Sequence, residues 1–351
     1  MSRYGLQVKK LAISLCLIAV TTVGVYAQAT PVPKPPKKPP VRVEAPAMPE
    51  PPNFSDRKLS GHGVSEKALL VDANVNIQLP CISQAKVIIN GWERNEIRVF
   101  VKNGSKFAFR VHEKDPVSGK PNWVLITIFA PDTSRSRMSD CISGDRIEID
   151  VPMKATVGMK GHETETMIDS VRKVDIKNLG GNVALRNISG GIRAATFEGD
   201  VAVENSGGQI SLETSTGNII AYEVSPGQIG DTFTTKTRSG MITLQKVDHR
   251  QIEATSVSGS VVFNGKFLPG GLYNFLTSNG SIKLGIPPDS SCKVVASYGF
   301  GTFNSTYPLK IETENITDGG QSLVAKMGAG DSTVKVTTSS GSININVGKQ
   351  P

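Results

Sequence analysis

The chain has 351 residues, a formal net charge of +8 and 6% aromatic residues. The excess charge lies in residues 1–52, which hold 7 of the 39 Lys and Arg and 2 of the 31 Asp and Glu; the remaining 32 basic and 29 acidic residues leave a net charge of +3 from Asn53 onward. A nucleic-acid-binding domain concentrates Lys and Arg on one face and interleaves aromatic residues, so no nucleic-acid partner is expected.

The first 27 residues have the pattern of a secretory signal peptide. Three basic residues precede an apolar run over 11–25, and the tripeptide that ends at Ala27 fits the small-residue rule for cleavage before Gln28. The run is short for a bilayer-spanning helix of about 20 residues, which makes an uncleaved anchor the lesser alternative. The sequence therefore predicts an exported protein of the periplasm, cell surface or extracellular space, with membrane contact only through an uncleaved signal.

Residues 28–60 are predicted to form a disordered, Pro- and Lys-rich linker. Ten prolines lie between Pro31 and Pro52, so this segment cannot form a core and is expected to run as extended polyproline II. It would act as a semi-rigid spacer for the folded part, which we place at 61–349.

Export places the cysteines beyond the signal in an oxidising compartment. Cys81 and Cys141 both occur in a Cys-Ile-Ser context beside strand-like runs, so they are the favoured disulfide pair. Cys292 is then an odd thiol, and we expect it to be buried and inert.

From about residue 69 the sequence is strand-like nearly throughout. Short runs rich in Val, Ile and Phe are broken by Gly, Asn, Asp and Pro, without a sustained helical period. The runs before the regular repeat cover 68–79, 85–89, 96–101, 107–111, 123–129 and 146–151.

A short phrase, Gly-x-[Ile/Val]-x-apolar, then repeats at intervals of nine residues and later at intervals of 19 to 23 before a longer last gap. Such periodicity indicates stacked units, and the glycine supplies a tight corner where positive φ costs little. The predicted corners are Gly181, Gly190, Gly199, Gly208, Gly217, Gly240, Gly259, Gly280 and Gly341.

The alternating apolar positions after each glycine point to one side of a strand and form the predicted core. Two nine-residue units make a flattened coil, which hydrogen-bonds onto the next coil at about 4.8 Å. The sequence therefore predicts an all-β, single-stranded β-solenoid (β-helix) with coils of about 18–21 residues; a β-sandwich is the alternative. The predicted core residues are Val183, Leu185, Val201, Val203, Ile210, Leu212, Ile219, Ile242, Leu244, Ile282, Leu284, Ile343 and Ile345.

The repeat resembles a known family. Segments such as GGNVALRN, EGDVAVEN, SGGQISLE and SSGSININ are similar to the coils of the bacterial "putative adhesin" family, a β-solenoid domain of unknown biochemical function. Residues 85–99 are similar to the opening coil of that family, and 149–152 to the strand and proline that precede its regular coils. The resemblance covers residues 68–347 and implies no catalytic residues.

The histidines form no recognised metal or catalytic motif. His112-Glu113 and His162-Glu163 begin like His-Glu-x-x-His, but a histidine is missing at the fifth position of both. We expect all four histidines, including His62 and His249, at the surface. Gly328-Ala-Gly-Asp331 resembles one unit of a calcium-binding nonapeptide array, but without tandem copies it indicates a corner. No catalytic residue, metal ligand or cofactor is predicted.

Stacking of coils predicts two outward columns of side chains: Asn182, Asp200 and Asn218, and Arg186, Glu204 and Tyr222. Asp200 and Glu204 lie four residues apart on one strand, about 13 Å at about 3.3 Å per residue, whereas a glycosidase pair needs about 5 to 9.5 Å. The first column is therefore predicted to be a hydrogen-bonded ladder, and Arg186–Glu204 a cross-coil ion pair.

The later coils present flat, polar outward strips formed by Thr243, Gln245, Ser260, Asn264, Ser281, Lys283, Ser342, Asn344 and Asn346. We therefore predict an exported, non-enzymatic, adhesin-like binding or scaffold module of the cell envelope. Its expected partner is an envelope glycan or another surface protein. Two alternatives stay open: a polysaccharide-active β-helix enzyme (lyase or hydrolase), and a self-assembling scaffold that joins through open strand edges at the solenoid ends.

Overall fold

The computed structural model of the protein describes residues 64–129, 141–317 and 320–348. The predicted signal peptide, the predicted linker and His62 lie outside the described residues. No helix long and apolar enough to cross a bilayer is present in the described ranges.

The described residues contain 26 strands, numbered here in chain order. The first thirteen are β1 (Val64–Leu70), β2 (Asn76–Trp92), β3 (Glu96–Lys102), β4 (Phe107–Lys114), β5 (Pro121–Ile128), β6 (Ile142–Ser143), β7 (Arg146–Pro152), β8 (Thr156–Asp169), β9 (Lys173–Gly180), β10 (Val183–Arg186), β11 (Ile192–Glu198), β12 (Val201–Gly207) and β13 (Ile210–Thr216). The others are β14 (Ile219–Ser225), β15 (Thr232–Ser239), β16 (Ile242–Val247), β17 (Gln251–Ser258), β18 (Val261–Asn264), β19 (Leu272–Asn279), β20 (Ile282–Ile286), β21 (Cys292–Phe300), β22 (Phe303–Ser305), β23 (Lys310–Thr317), β24 (Gly320–Met327), β25 (Thr333–Ser340) and β26 (Ile343–Val347).

Each regular coil contributes one strand to each of two parallel columns. Column A joins β8, β10, β12, β14, β16, β18, β20 and β26 in that order. Column B joins β8, β9, β11, β13, β15, β17, β19 and β25. Both β2 and β8 run through the two columns, which links all strands into one sheet. This is the predicted β-solenoid, and the sandwich alternative is wrong.

The apolar side chains of successive coils lie directly on one another in a continuous core. Val183 pairs with Val201, and Val201 with Ile219. All the core residues predicted from the repeat are at most 1% exposed, and one cluster of buried residues extends from Val71 to Ile345. Burial of each Val, Leu or Ile side chain contributes about 1.5–3 kcal/mol, so this interior supplies most of the stabilisation.

The corners from column B to column A are tight, and we call them the glycine corner. A Cβ on Gly240, whose φ is +153°, would collide with the carbonyl oxygen of Gly217 on the preceding coil. Two of the predicted corner glycines, Gly190 and Gly208, lie at the opposite corner, where the chain passes from column A to column B. Next to Gly190 it is Gly191 that has the positive φ, at +112°. At the glycine corner, Gly280 is needed only because a Cβ there would meet the Gly259 carbonyl.

A column of buried hydroxyl groups, absent from the sequence-based predictions, supports the glycine corner. The Thr277 hydroxyl donates to the carbonyl of Gly259 on the preceding coil at 2.7 Å. Because the glycine N–H donates to the following coil, both polar groups of the corner peptide are satisfied. Equivalent bonds of 3.0 Å are made by Thr214, Thr237, Ser256 and Thr338.

The order of coils in space departs from the order in the chain near the C-terminus. After β20 the chain forms the outer coil β21–β22, reverses through the antiparallel pair β23–β24, and inserts β25–β26 between β19–β20 and β21–β22. Ile343 therefore pairs directly with Ile282. The long last gap in the repeat, between Gly280 and Gly341, thus contains the strands β21 to β24. These strands lie beyond the final regular coil, which is formed by β25 and β26.

The N-terminal end is built similarly. The coil of β2 lies between β8 and an outer coil of β5 and β7, and β4, β3 and β1 close the end by antiparallel pairing. The predicted run 68–79 is wrong as a single strand. The chain turns between β1 and β2, where the Asn74 N–H donates to the Asp72 carboxylate at 2.9 Å.

The cysteine predictions agree with the structure. Cys81 and Cys141 form a disulfide, which confirms the predicted pair. Cys292 is a free cysteine with a fully buried side chain, and burial raises the pKa of its thiol to about 12. A thiol with such a pKa stays protonated near neutral pH, so Cys292 is a poor nucleophile.

Thr277→Val is expected to lower the free energy of unfolding by about 1–3 kcal/mol, because the Gly259 carbonyl loses its buried donor while side-chain shape is kept. Urea denaturation followed by circular dichroism measures the change. Thr216→Val is the matched control: its side chain is exposed, so the expected change is within about 0.5 kcal/mol. Equal effects of both substitutions would contradict a structural role for the hydroxyl column.

We expect the protein to be monomeric in light scattering at all accessible concentrations, because both ends carry protected edge strands. Charged residues occupy β4 and β23, and β23 has a register shift between Ile311 and Thr313. The double substitution Glu312→Val and Glu314→Val should promote association. Concentration-dependent filaments of the unmodified chain would support the self-assembly alternative instead.

Candidate functional site

The two kinds of corner differ in how much their length varies from coil to coil. The glycine corner keeps nearly the same length from coil to coil, whereas the opposite corner, which we call the loop corner, widens in the middle of the stack. Three successive coils contribute loops 226–231, 248–250 and 265–271 there. In solenoids, insertions that fall on one face often form the binding face. This corner is the candidate site.

Loop 226–231 has its own hydrogen-bonded structure. The Asp231 carboxylate accepts the backbone N–H groups of Gly227 and Gln228, both at 2.9 Å, and Gly230 has a φ of +95°. At the tip of the loop, Ile229 is 98% exposed. The loop is therefore an ordered projection that presents an apolar side chain to solvent.

His249 lies beneath this loop and supports it. The prediction that His249 lies at the surface is wrong. The side chain is fully buried, and its Nε2 lies 2.8 Å from the carbonyl oxygen of Gly208. Since a carbonyl only accepts, Nε2 carries the proton. Burial is the main cause that lowers the pKa of His249, which stays neutral near pH 7.

The geometry explains why histidine lies at this position. Gly208 and His249 belong to coils on either side of the coil that carries loop 226–231. Because that loop leaves the stack, the imidazole spans the gap and contacts Phe233, with 5.6 Å between ring centroids. His249 thus replaces the backbone contact that a regular corner would provide.

Loop 265–271 is held by aromatic packing. The rings of Phe263 and Phe267 are stacked with centroids 5.2 Å apart, and Phe267 also packs on Tyr273 at 4.7 Å. The Leu268 N–H donates to the Tyr273 hydroxyl at 2.7 Å. Burial is the main cause that raises the pKa of Tyr273, so this hydroxyl serves as a neutral anchor.

Loop 226–231 separates two clefts of different chemistry. The first cleft, about 460 Å³, is polar and is lined by Lys173, Asp175, Arg193, Gln209 and Asp231, among other residues. The second cleft, about 610 Å³, mixes apolar Ile229, Leu268 and Leu272 with Asp248 and Arg250. Gly227, Gln228 and Asp231 line both clefts, so a ligand that contacts this loop reaches both environments.

The two predicted outward columns form as ladders. Oδ1 of Asn182 accepts the N–H of Asp200 at 2.9 Å, and Oδ1 of Asp200 accepts the N–H of Asn218 at 2.7 Å. Arg186 forms an ion pair with Glu204 at 2.9 Å, and Glu204 pairs in register with Tyr222. The two acidic side chains thus have structural partners on neighbouring coils.

The polar strips of the later coils are partly structural as well. The N–H of Ser281 donates to the Ser260 hydroxyl at 3.3 Å, and the N–H of Ser342 to the Ser281 hydroxyl at 3.4 Å. Thr243 is buried rather than open to solvent. Asn264, Lys283 and Asn346 are exposed, as predicted.

The remaining histidines of the described residues are exposed, and one lies close to the disulfide. His112 packs edge-on against Trp123 with ring centroids 4.3 Å apart. His162 offers a ring nitrogen that, with the sulfurs of Cys81 and Cys141, forms a group whose atoms lie within 4.8 Å of one another. In the oxidised protein both sulfurs are bonded to each other, so this group is not a thiolate site.

Comparisons with known proteins agree with the fold. The family model described as Toastrack DUF4097 matches residues 71–346. No curated protein matches the chain.

Two solved structures match the chain at low identity. A "putative cell adhesion protein" from Clostridium sporogenes shares 12% identity, with 81% of this chain and 99% of that chain covered and a TM-score of 0.25. A "putative lipid binding protein" from Parabacteroides distasonis shares 11% identity, with 81% and 96% covered and a TM-score of 0.37. At these low scores neither name is carried over to this chain.

The family match extends over nearly all the coils that the structure describes, from Val71 to Asn346. It confirms the family resemblance seen in the repeat. This β-solenoid belongs to the Toastrack DUF4097 family.

Proposed function

We propose that this protein is an exported, non-enzymatic, adhesin-like module of the cell envelope, which binds an envelope glycan or a surface protein at its loop corner. The observation that carries the proposal is the widening of one corner by the loops 226–231 and 265–271, where an ordered loop separates a polar cleft from a mixed cleft. A chain selected only for a stable stack would not need these excursions.

Two features support export. The N-terminal 27 residues have a signal-peptide pattern, and the chain carries a disulfide, a bond that persists in oxidising compartments. The predicted linker would hold the module at a distance from its point of attachment.

The chemistry of the clefts favours binding over catalysis. Among the described residues that line the two clefts, the charged groups are Lys173, Asp175, Arg193, Asp231, Asp248 and Arg250. Asp231 is engaged by two backbone N–H groups of its own loop. Groups whose pKa is shifted by burial in this region, His249 and Tyr273, lie beneath the loops and hold them in place. Such a site suits recognition by hydrogen bonds and charge.

The loop corner should account for binding in a screen of residues 28–351 against envelope polysaccharides and surface extracts. Arg193→Gln, in the polar cleft, should weaken the captured interaction by about tenfold or more, because hydrogen bonds to charged groups contribute about 1.5–3 kcal/mol. Arg238→Gln is the matched control, since Arg238 is an exposed arginine near the glycine corner. Affinity is measured by biolayer interferometry. An equal loss in both variants would place the binding surface elsewhere.

The enzyme alternative predicts turnover that depends on Asp200 or Glu204. We expect no release of reducing ends or unsaturated products from acidic polysaccharides. Asp200→Ala should instead lower the free energy of unfolding by about 0.5–1.5 kcal/mol, since the Asn218 N–H loses its acceptor. Glu204→Ala should cost less than about 1 kcal/mol, as expected for a partly exposed ion pair. Turnover that is abolished by either substitution would establish the enzyme alternative.

A further inference from the structure

We propose that the Cys81–Cys141 disulfide masks a metal site: after reduction, the two cysteines and His162 bind a divalent ion of the Zn²⁺ type. The inference concerns a region away from the loop corner and does not depend on the proposed function.

Three separate segments converge at this site. Cys81 lies on β2 at the point where the pairing of β2 with β8 shifts register, between Leu79 and Ile82. Cys141 comes directly before β6, which pairs with β2. His162 lies on β8 and pairs with Ser83. The strand pairing therefore fixes all three residues on neighbouring strands.

The donor atoms are close enough for a shared ion. The two sulfurs and a ring nitrogen of His162 all lie within 4.8 Å of one another. In a tetrahedral zinc site, with Zn–S about 2.3 Å and Zn–N about 2.0–2.1 Å, ligand atoms are about 3.5–3.8 Å apart. After reduction the sulfurs need to separate only from bonding distance to this spacing, which rotation of the side chains provides.

The donor types select the class of metal. Thiolates and imidazole favour zinc-like or softer ions over Mg²⁺ or Ca²⁺. Two cysteines and one histidine leave the fourth position of a tetrahedral ion to water or another ligand. The exposed His162 lines a cleft of about 580 Å³ together with Ser83, Gln84 and Glu163, so an ion reaches the site from solvent.

The redox step controls whether the site exists. An external dithiol transfers two electrons and two protons to the disulfide, becomes a disulfide itself, and leaves two thiols on the protein. Zn²⁺ then binds both sulfurs as thiolates and releases the two thiol protons. Oxidising conditions thus give a covalent link between β2 and the start of β6, and reducing conditions give a metal site at the same residues.

Cobalt binding tests the inference on the full chain without its signal peptide. The protein is reduced anaerobically with a phosphine, separated from the reductant and titrated with Co²⁺, with an oxidised sample in parallel. We expect the reduced protein to bind one equivalent with sulfur-to-cobalt charge-transfer absorption, which Zn²⁺ displaces. The oxidised protein should show none. Absence of this absorption from the reduced protein would overturn the inference.

Two histidine variants distinguish this site from adventitious binding. His162→Gln should weaken Co²⁺ binding by about 100-fold or more, because loss even of a residue that merely orients a metal ligand costs about 10–100-fold. His112→Gln, another exposed histidine, should leave binding unchanged. Both side chains are exposed, so both variants are expected to fold, which far-ultraviolet circular dichroism checks. Equal affinity of the two variants would exclude His162 as a ligand and overturn the proposed site.

Discussion

The structure depends on parallel backbone hydrogen bonds that join each coil to the next in constant register. The N–H of Val183 donates to the carbonyl of Asp200, and that of Val201 to Asn218, both at 2.9 Å. This register places every aliphatic side chain on its equivalent in the neighbouring coil, and the core becomes continuous. This register holds only where each coil turns at the same position. The corners therefore constrain the structure of the rest of the chain.

The glycine corner meets this requirement with very little freedom. Backbone approaches backbone so closely at Gly240 that a single added carbon would collide with Gly217. The buried hydroxyl of Thr237 and the ladder that begins at Asn182 satisfy polar groups that the turn would otherwise leave without partners. Packing, hydrogen bonding and backbone conformation thus all constrain the same few residues. An insertion at this corner would break all three.

The sequence predicted those features of the fold that depend on residues close together in the chain. The core positions, the glycine corners and the Asn182 and Arg186 columns were readable because every coil repeats the same local requirement. The hydroxyl column also has a pattern in the sequence: Ser or Thr stands three residues before Gly217, Gly240 and Gly259. The sequence showed the insertion of β25–β26 between earlier coils only as a long last gap in the repeat, because the insertion depends on strand pairing between segments that are distant in the chain.

The candidate site could not be predicted from the sequence for a related reason. His249 stands alone in the sequence, and its role exists only because loop 226–231 leaves the stack between its coil and that of Gly208. The metal donors Cys81, Cys141 and His162 are likewise brought together by pairing of β2, β6 and β8 rather than by a linear motif. Sites of this kind are properties of the stack, and a motif search along the chain does not detect them.

The contrast between the two corners also explains where this solenoid accommodates added residues. Because the glycine corner excludes insertions, added residues are accommodated where one coil leaves the stack and a side chain from the next coil fills the gap. His249 does this with a single imidazole that bonds to Gly208 and packs on Phe233. The core beneath stays continuous, since Phe233 and Ile252 remain fully buried or nearly so on either side. A rigid stack with one permissive corner therefore accommodates loops of different length without loss of the fold.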